Sequence, residues 1–138
     1  MMALITLGCG GFCLAQVMGP ASNGNYAGAV FLQHAHRFTF TRVEACRYNG
    51  DGFSFQVCDD VQFYDCVAQD CFGLGFHPGS GSQRPRFFDC RSTGNAQGIF
   101  FCWGVTDGLA ERCTCSGNDV NTCYEYQHFL VCFQKFQT

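Results

Sequence analysis

The sequence predicts an all-β chain wound as a parallel β-solenoid of about four 23-residue coils, and three columns of residues predict it. A Gly-apolar-x-Phe pattern occurs as GAVF at 28, GFSF at 52, GFHP at 75 and GIFF at 98, at intervals of 24, 23 and 23. An aromatic-x-x-apolar pattern places Val43, Cys66, Cys90 and Cys113 at intervals of 23, 24 and 23. A third column holds Asn49, Phe72, Asn95 and Asn118 at an unbroken 23. Agreement of three columns on one period is the signature of like units stacked on one another.

The content of each unit selects the kind of coil. Segments such as GFSFQV and VQFYDCV alternate apolar and polar residues, are rich in Phe, Val and Tyr, and are bounded by Gly, Asn and Asp. That is strand patterning, and no unit has room for an amphipathic helix or the Leu frame of a leucine-rich repeat. Coils stacked at the ~4.8 Å strand spacing set Phe above Phe and Cys above Cys. Phe53, Phe63, Phe76, Phe87 and Ile99 are therefore expected inside, with Cys66, Cys90 and Cys113 in one ladder of small apolar thiols.

In chain order, residues 1–22 (MMALITLGCGGFCLAQVMGPAS) read as a truncated coil or a weak signal-like stretch, with no Lys or Arg before the apolar run. Residues 23–119 hold the coils. Residues 120–138 fit no coil and read as a tail or cap. Open strand edges at a solenoid's ends favour self-association. In the Asn column, Asn is expected for its tolerance of left-handed backbone angles, with the side chains bonding one another up the stack and Phe72 interrupting.

Composition excludes some functions. The chain has 138 residues, 14% of them charged, and a formal net charge of −3, so it lacks the basic surface of a nucleic-acid binder. No stretch reaches the ~20 apolar residues of a membrane span. The 12 cysteines include no CxxC pair, and neither a structural metal nor a cofactor is expected. No Thr column recurs, which removes an ice-binding reading.

The 23-residue coils, the strands DVQFYDC and RPRFFDC ending in Cys, and the turn Asn resemble the right-handed parallel β-helix proteins of the pectin-lyase-like class. The segments NGDGFSFQ, GLGFHPGSGSQRP and GIFFCW are similar to bacterial β-helix repeat proteins of poorly defined function. The resemblance implies a right-handed β-helix acting on polysaccharide, outside the cytoplasm or in a periplasm.

The candidate site follows from the run GLGFHPGSGSQRPRFFDC, residues 73–90. Where the second coil has Phe55 and Val57 and the fourth has Phe101 and Trp103, the third has Pro78, Gly79, Ser80 and Gly81. His77, flanked by Ser54 and Phe100 in the neighbouring coils, is the acid/base candidate together with Asp59 or Asp60. Ser80, Ser82, Arg84, Arg86, Trp103 and Asp107 are candidates for binding: the hydroxyls and guanidinium forks suit an acidic polysaccharide, and the indole suits a sugar face. Two functions follow from these residues: a lyase, hydrolase or epimerase acting on an acidic polysaccharide, or a non-catalytic module that binds glycan.

Overall fold

The computed structural model describes residues 4–6, 12–15, 28–120 and 124–125. Three five-stranded sheets, all parallel, wrap one core. The first contains β1 (Leu4–Thr6), β4 (Thr39–Thr41), β7 (Gln62–Tyr64), β10 (Arg86–Phe88) and β13 (Leu109–Glu111). The second contains β2 (Phe12–Ala15), β5 (Val43–Cys46), β8 (Val67–Gln69), β11 (Arg91–Thr93) and β14 (Thr114–Ser116). The third contains β3 (Val30–Gln33), β6 (Phe53–Gln56), β9 (Leu74–Pro78), β12 (Gln97–Phe101) and β15 (Tyr124–Glu125). Each coil gives one strand to each sheet, which is the solenoid that the 23-residue period predicts.

Inside, the ladders form. Phe63 stacks on Phe40 at 4.9 Å and on Phe87 at 5.0 Å, each pair within 10° of parallel. Phe76 stacks on Phe53 at 5.0 Å. The two columns meet edge to face, Phe63 against Phe76 at 5.6 Å and 76°, the geometry that aligns ring edges with ring faces. Ile99 continues the second column, in register with Phe76. Phe101 turns its edge onto Phe87 at 5.8 Å. It does so across Gly108, where a Cβ would lie 2.5 Å from the Phe101 ring.

The thiol ladder is equally regular. Cys66, Cys90 and Cys113 are all buried, and each S–H donates to the carbonyl two residues back: Tyr64 at 3.4 Å, Phe88 at 3.4 Å and Glu111 at 3.5 Å. Cys58 and Cys71 repeat the pattern onto Gln56 and Gln69. All five follow a residue with positive φ: Val57, Asp65, Asp70, Asp89 or Arg112. At these five corners a left-handed residue is thus followed by a small inward one.

Four such corners recur in each coil, at His34, Arg37, Arg42 and Arg47, then Val57, Asp60, Asp65 and Asp70, then Gly81, Arg84, Asp89 and Gly94, then Gly104, Asp107, Arg112 and Gly117. Only four of these sixteen positions are Gly. At the others a side chain tolerates a backbone region that disfavours it, and Asp does so most readily. Stacking turns two corners into charge columns. Arg84 grips Asp60 with Nε–Oδ1 at 2.7 Å and Nη2–Oδ2 at 3.1 Å. Arg112 grips Asp89 in the same way at 2.7 and 2.9 Å and also contacts Glu111.

The remaining corners turn their backbone N–H groups inward, where water cannot reach them. Buried side chains one coil on accept them: Asn95 Oδ1 from Cys71 N at 2.8 Å, Asn118 Oδ1 from Asn95 N at 2.9 Å, and Ser82 Oγ from Cys58 N at 3.3 Å. This corrects the expected reason for the Asn column. The left-handed residues are Gly94 and Gly117, one position before Asn95 and Asn118. Asn is needed there as a buried acceptor. The inward position below Asn95 is Cys71, not Phe72, because the spacing changes from 24 (Gln69 with Thr93) to 23 (Leu74 with Gln97) across this corner. Phe72 is the extra residue and is pushed out to solvent.

Two further expectations shift. Val30, not Ala29, pairs with Phe53, so the position equivalent to Gly52 is Ala29, one residue after Gly28, and the true spacing there is 23. Parallel pairing also extends beyond residue 119, with Val120 bridging Gln97 and Tyr124 pairing with Phe100. At the other end, β1 and β2 pair with β4 and β5. The rest of the N-terminal stretch and of the tail lies outside the described residues.

Candidate functional site

Pro78 ends β9 just before a turn; it is buried and lies in register with Phe55 of β6. The turn that follows is common to two coils, since Gly81 and Gly104 both occupy its left-handed position and the Gly81 N–H donates to the Trp103 carbonyl at 3.2 Å. The glycines and serines of residues 79–82 build a corner.

His77 stands on the outer face of β9, in register with Ser54 and edge-on to the Phe100 ring at 5.8 Å. Its carboxylate partner is Asp51. The His77 Nδ1 lies 2.8 Å from Asp51 Oδ2, and the two side chains are 21% and 11% exposed. Asp51 is itself fixed, because its Oδ1 accepts the Leu74 N–H at 2.8 Å. A carboxylate only accepts, so Nδ1 carries the proton and Nε2 is left for other work. Cys102 also acts on the imidazole, and its Sγ lies 3.4 Å from the Ser80 hydroxyl.

The electrostatics of His77 and Cys102 agree. Burial pulls the His77 proton affinity down, but the Asp51 hydrogen bond and charge, aided by Cys102, outweigh it and leave the imidazole above its ordinary range. Burial pushes the Cys102 thiol up, and Ser80 and His77 more than reverse this, leaving it below the ordinary thiol value. Burial raises the thiols of Cys58 and Cys71, while in the ladder hydrogen bonds with Cys90 lower those of Cys66 and Cys113.

The other expected site residues are placed as follows. Asp59 pairs with His36, 3.3 Å from its Nδ1. Asp60 is held by Arg84, chiefly through its hydrogen bonds, which lower the carboxyl below its usual range. Neither carboxylate is partnered with His77. Arg84 has its fork engaged, and Arg86 lies on β10, in a different sheet from β9. Ser82 corrects an expectation outright, because it faces the interior and holds the Cys58 N–H. Asp107 occupies a left-handed corner in the column of Arg84. Trp103 is exposed beside Cys102, and Ser80 contacts that thiol.

Below His77 an open groove of about 760 Å³ crosses the coils, lined by Gly28, Phe31, Asp51, Ser54, Gln56, Gly73, Leu74, His77, Ala96 and Gln97. Its residues come from or adjoin β3, β6, β9 and β12, so neighbouring coils contribute side by side. Phe31, 57% exposed, supplies a large aromatic face. Sequence reasoning missed Asp51 and Cys102. Asp51 is 26 residues before His77, a diagonal rather than a same-column neighbour, and columns at 23 pass over it.

Among the described residues no group of His, Cys, Asp and Glu is arranged to hold a metal ion, and no helix is long and apolar enough to cross a membrane. The fold defines a parallel β-solenoid with a groove on its third sheet. Compared with known proteins, the chain matches no family model, no curated protein and no solved structure.

Proposed function

We propose that the chain binds a polysaccharide laid across its coils, in the groove on the outer face of the third sheet. The observation that carries this reading is the groove itself: open, running over successive coils, and lined by one aromatic ring, two Gln amides, a Ser hydroxyl, a carboxylate and an imidazole. Stacked coils present such groups repeatedly, which suits a repeating polymer. The resemblance of the coil motifs to the pectin-lyase-like class supports the same ligand class, and an extracellular or periplasmic location belongs to this proposal.

The acidic character expected of the ligand draws no support from the groove's own residues, which include Asp51 and no Arg. A hydroxyl-rich, neutral glycan suits it better. One observation favours action over simple binding, namely the Asp51–His77 pair, an oriented base at the groove wall.

Titration of the chain with matched neutral and uronic-acid oligosaccharides tests the reading. Binding that is lost in Phe31→Ala and Gln97→Ala and kept in Arg84→Ala supports it. Binding lost in Arg84→Ala alone, or absent from both oligosaccharide sets, overturns it. Product formation in the same samples separates an enzyme from a binding module.

A further inference from the structure

We propose that Cys102, His77 and Asp51 form a thiol nucleophile with its base and orienting carboxylate, able to accept an acyl group from an activated ester. The site shares two residues with the groove and does not depend on glycan binding there.

Position makes the case. Phe100 is the neighbour of His77 in the next coil, and Cys102 lies two residues further on, half-buried at the end of β12 and packed in part against the core, one diagonal step from the imidazole. That step is one that side chains span across a strand pair. The Cys102 N–H donates to the Pro78 carbonyl at 3.0 Å, which ties the thiol's backbone to the strand carrying His77. Asp51 commits Nδ1 of His77, so the nitrogen that exchanges a proton with sulfur is Nε2. Each of five inward thiols gives its S–H to a carbonyl two residues back, whereas Cys102 is half-buried and its Sγ meets the Ser80 hydroxyl instead. A thiol flanked by an imidazole that a carboxylate orients is the arrangement that nucleophilic catalysis requires.

The reaction is balanced without any further reagent. Sγ of Cys102 attacks the ester carbonyl carbon while its proton passes to Nε2 of His77. The carbon–oxygen bond to the alcohol breaks, and the alcohol leaves with that proton. A thioester remains on Cys102. Water then adds to it, giving its proton to Nε2, the carbon–sulfur bond breaks, and the thiol is restored as the carboxylic acid departs.

Asp51 and Cys102 act on His77, and Ser80, His77 and the Trp103 backbone act on Cys102. The test alkylates the full reduced chain with iodoacetamide across a pH series and follows each cysteine by peptide mass. Cys102 should react with a midpoint below the ordinary thiol value of 9.0. In His77→Gln the midpoint should rise and the neutral-pH rate should fall, because a smaller share of the thiol is then ionised. Asp51→Asn should act in the same direction. A second arm treats the chain with p-nitrophenyl acetate and expects acetyl on Cys102, absent in Cys102→Ala. An ordinary thiol profile for Cys102 in the parent chain overturns the proposal without recourse to any variant. So does a depressed midpoint that persists unchanged in folded His77→Gln, or the lack of both an acetyl adduct and p-nitrophenol release that depends on Cys102. Loss of glycan binding with this reactivity intact would overturn only the groove's assigned ligand.

Discussion

Cys90 and Cys102 are twelve residues apart in the chain and differ in almost every physical respect. Cys90 is buried between Cys66 and Cys113, where burial, followed by hydrogen bonds within the ladder, pushes its proton affinity far up. Cys102 is half-buried, and there a hydroxyl and an imidazole outweigh burial and pull its affinity down. The difference is one of position: Cys90 follows the left-handed Asp89 and points in, whereas Cys102 follows the last residue of β12 and meets the Ser80 hydroxyl of the coil below. A solenoid therefore gives the same residue type a packing role at one position of its coil and a chemical one at another.

The inner half of this comparison breaks most readily. Phe63 is sandwiched between Phe40 and Phe87, and Phe63→Ala should cost about 3–5 kcal/mol. Denaturant unfolding measures the loss, and an effect under about 1 kcal/mol would mean that the stack is not the core. Next in size is Asn95→Ala, which strips partners from the Cys71 N–H and the Ala68 carbonyl. Each buried group left unpaired should cost about 1–3 kcal/mol. An isosteric Asn95→Leu should be no better, because the lost element is the acceptor and not the volume.

The corners offer a gain instead of a loss. Val57 is β-branched at φ 50°, where the later coils place Gly81 and Gly104. Val57→Gly should stabilise by about 1 kcal/mol, the left-handed penalty less the entropy that Gly adds to the unfolded chain. A lower melting temperature for this variant would show that the Val57 side chain contributes packing there. Arg84→Ala should be the mildest change, since its ion pair with Asp60 is exposed and screened by salt. Its unfolding curve should overlay that of the parent at high ionic strength.

The outer half is broken by pH. His77 binds its proton more tightly in the fold than at its ordinary value of 6.5. That contribution is complete below 6.5 and is lost as pH rises through the folded value. Cys102, depressed below 9.0, behaves in the opposite sense: its contribution is present above 9.0 and is lost as pH falls through the folded value. The stability difference between the parent and His77→Gln should therefore shrink from mildly acidic toward alkaline pH. A difference that grows instead would reverse the assigned sign.

The interior was legible in the sequence because stacking repeats a residue's environment every coil. Phe53, Phe63, Phe76, Phe87 and Ile99 and the three ladder thiols are all buried where the columns put them. The corners were less legible, since Asp, Arg, His and Val take the left-handed positions and only four of sixteen are Gly. The bulge at Phe72 was hidden for a related reason, because one extra residue leaves the column count intact while changing which neighbour points inward. The site was least legible. Its contacts run diagonally, from Asp51 across to His77 and on to Cys102, and the expected carboxylates Asp59 and Asp60 have partners of their own in His36 and Arg84.

The contrast between the two thiol positions is tested most directly by brief thiol labelling of the native chain at neutral pH, read by peptide mass. Cys102 should label within the pulse, while Cys66, Cys90 and Cys113 stay unmodified until denaturant unfolds the coils. Labelling of Cys90 alongside Cys102 in the native chain would contradict the assigned register, and with it the buried ladder and the half-buried thiol site.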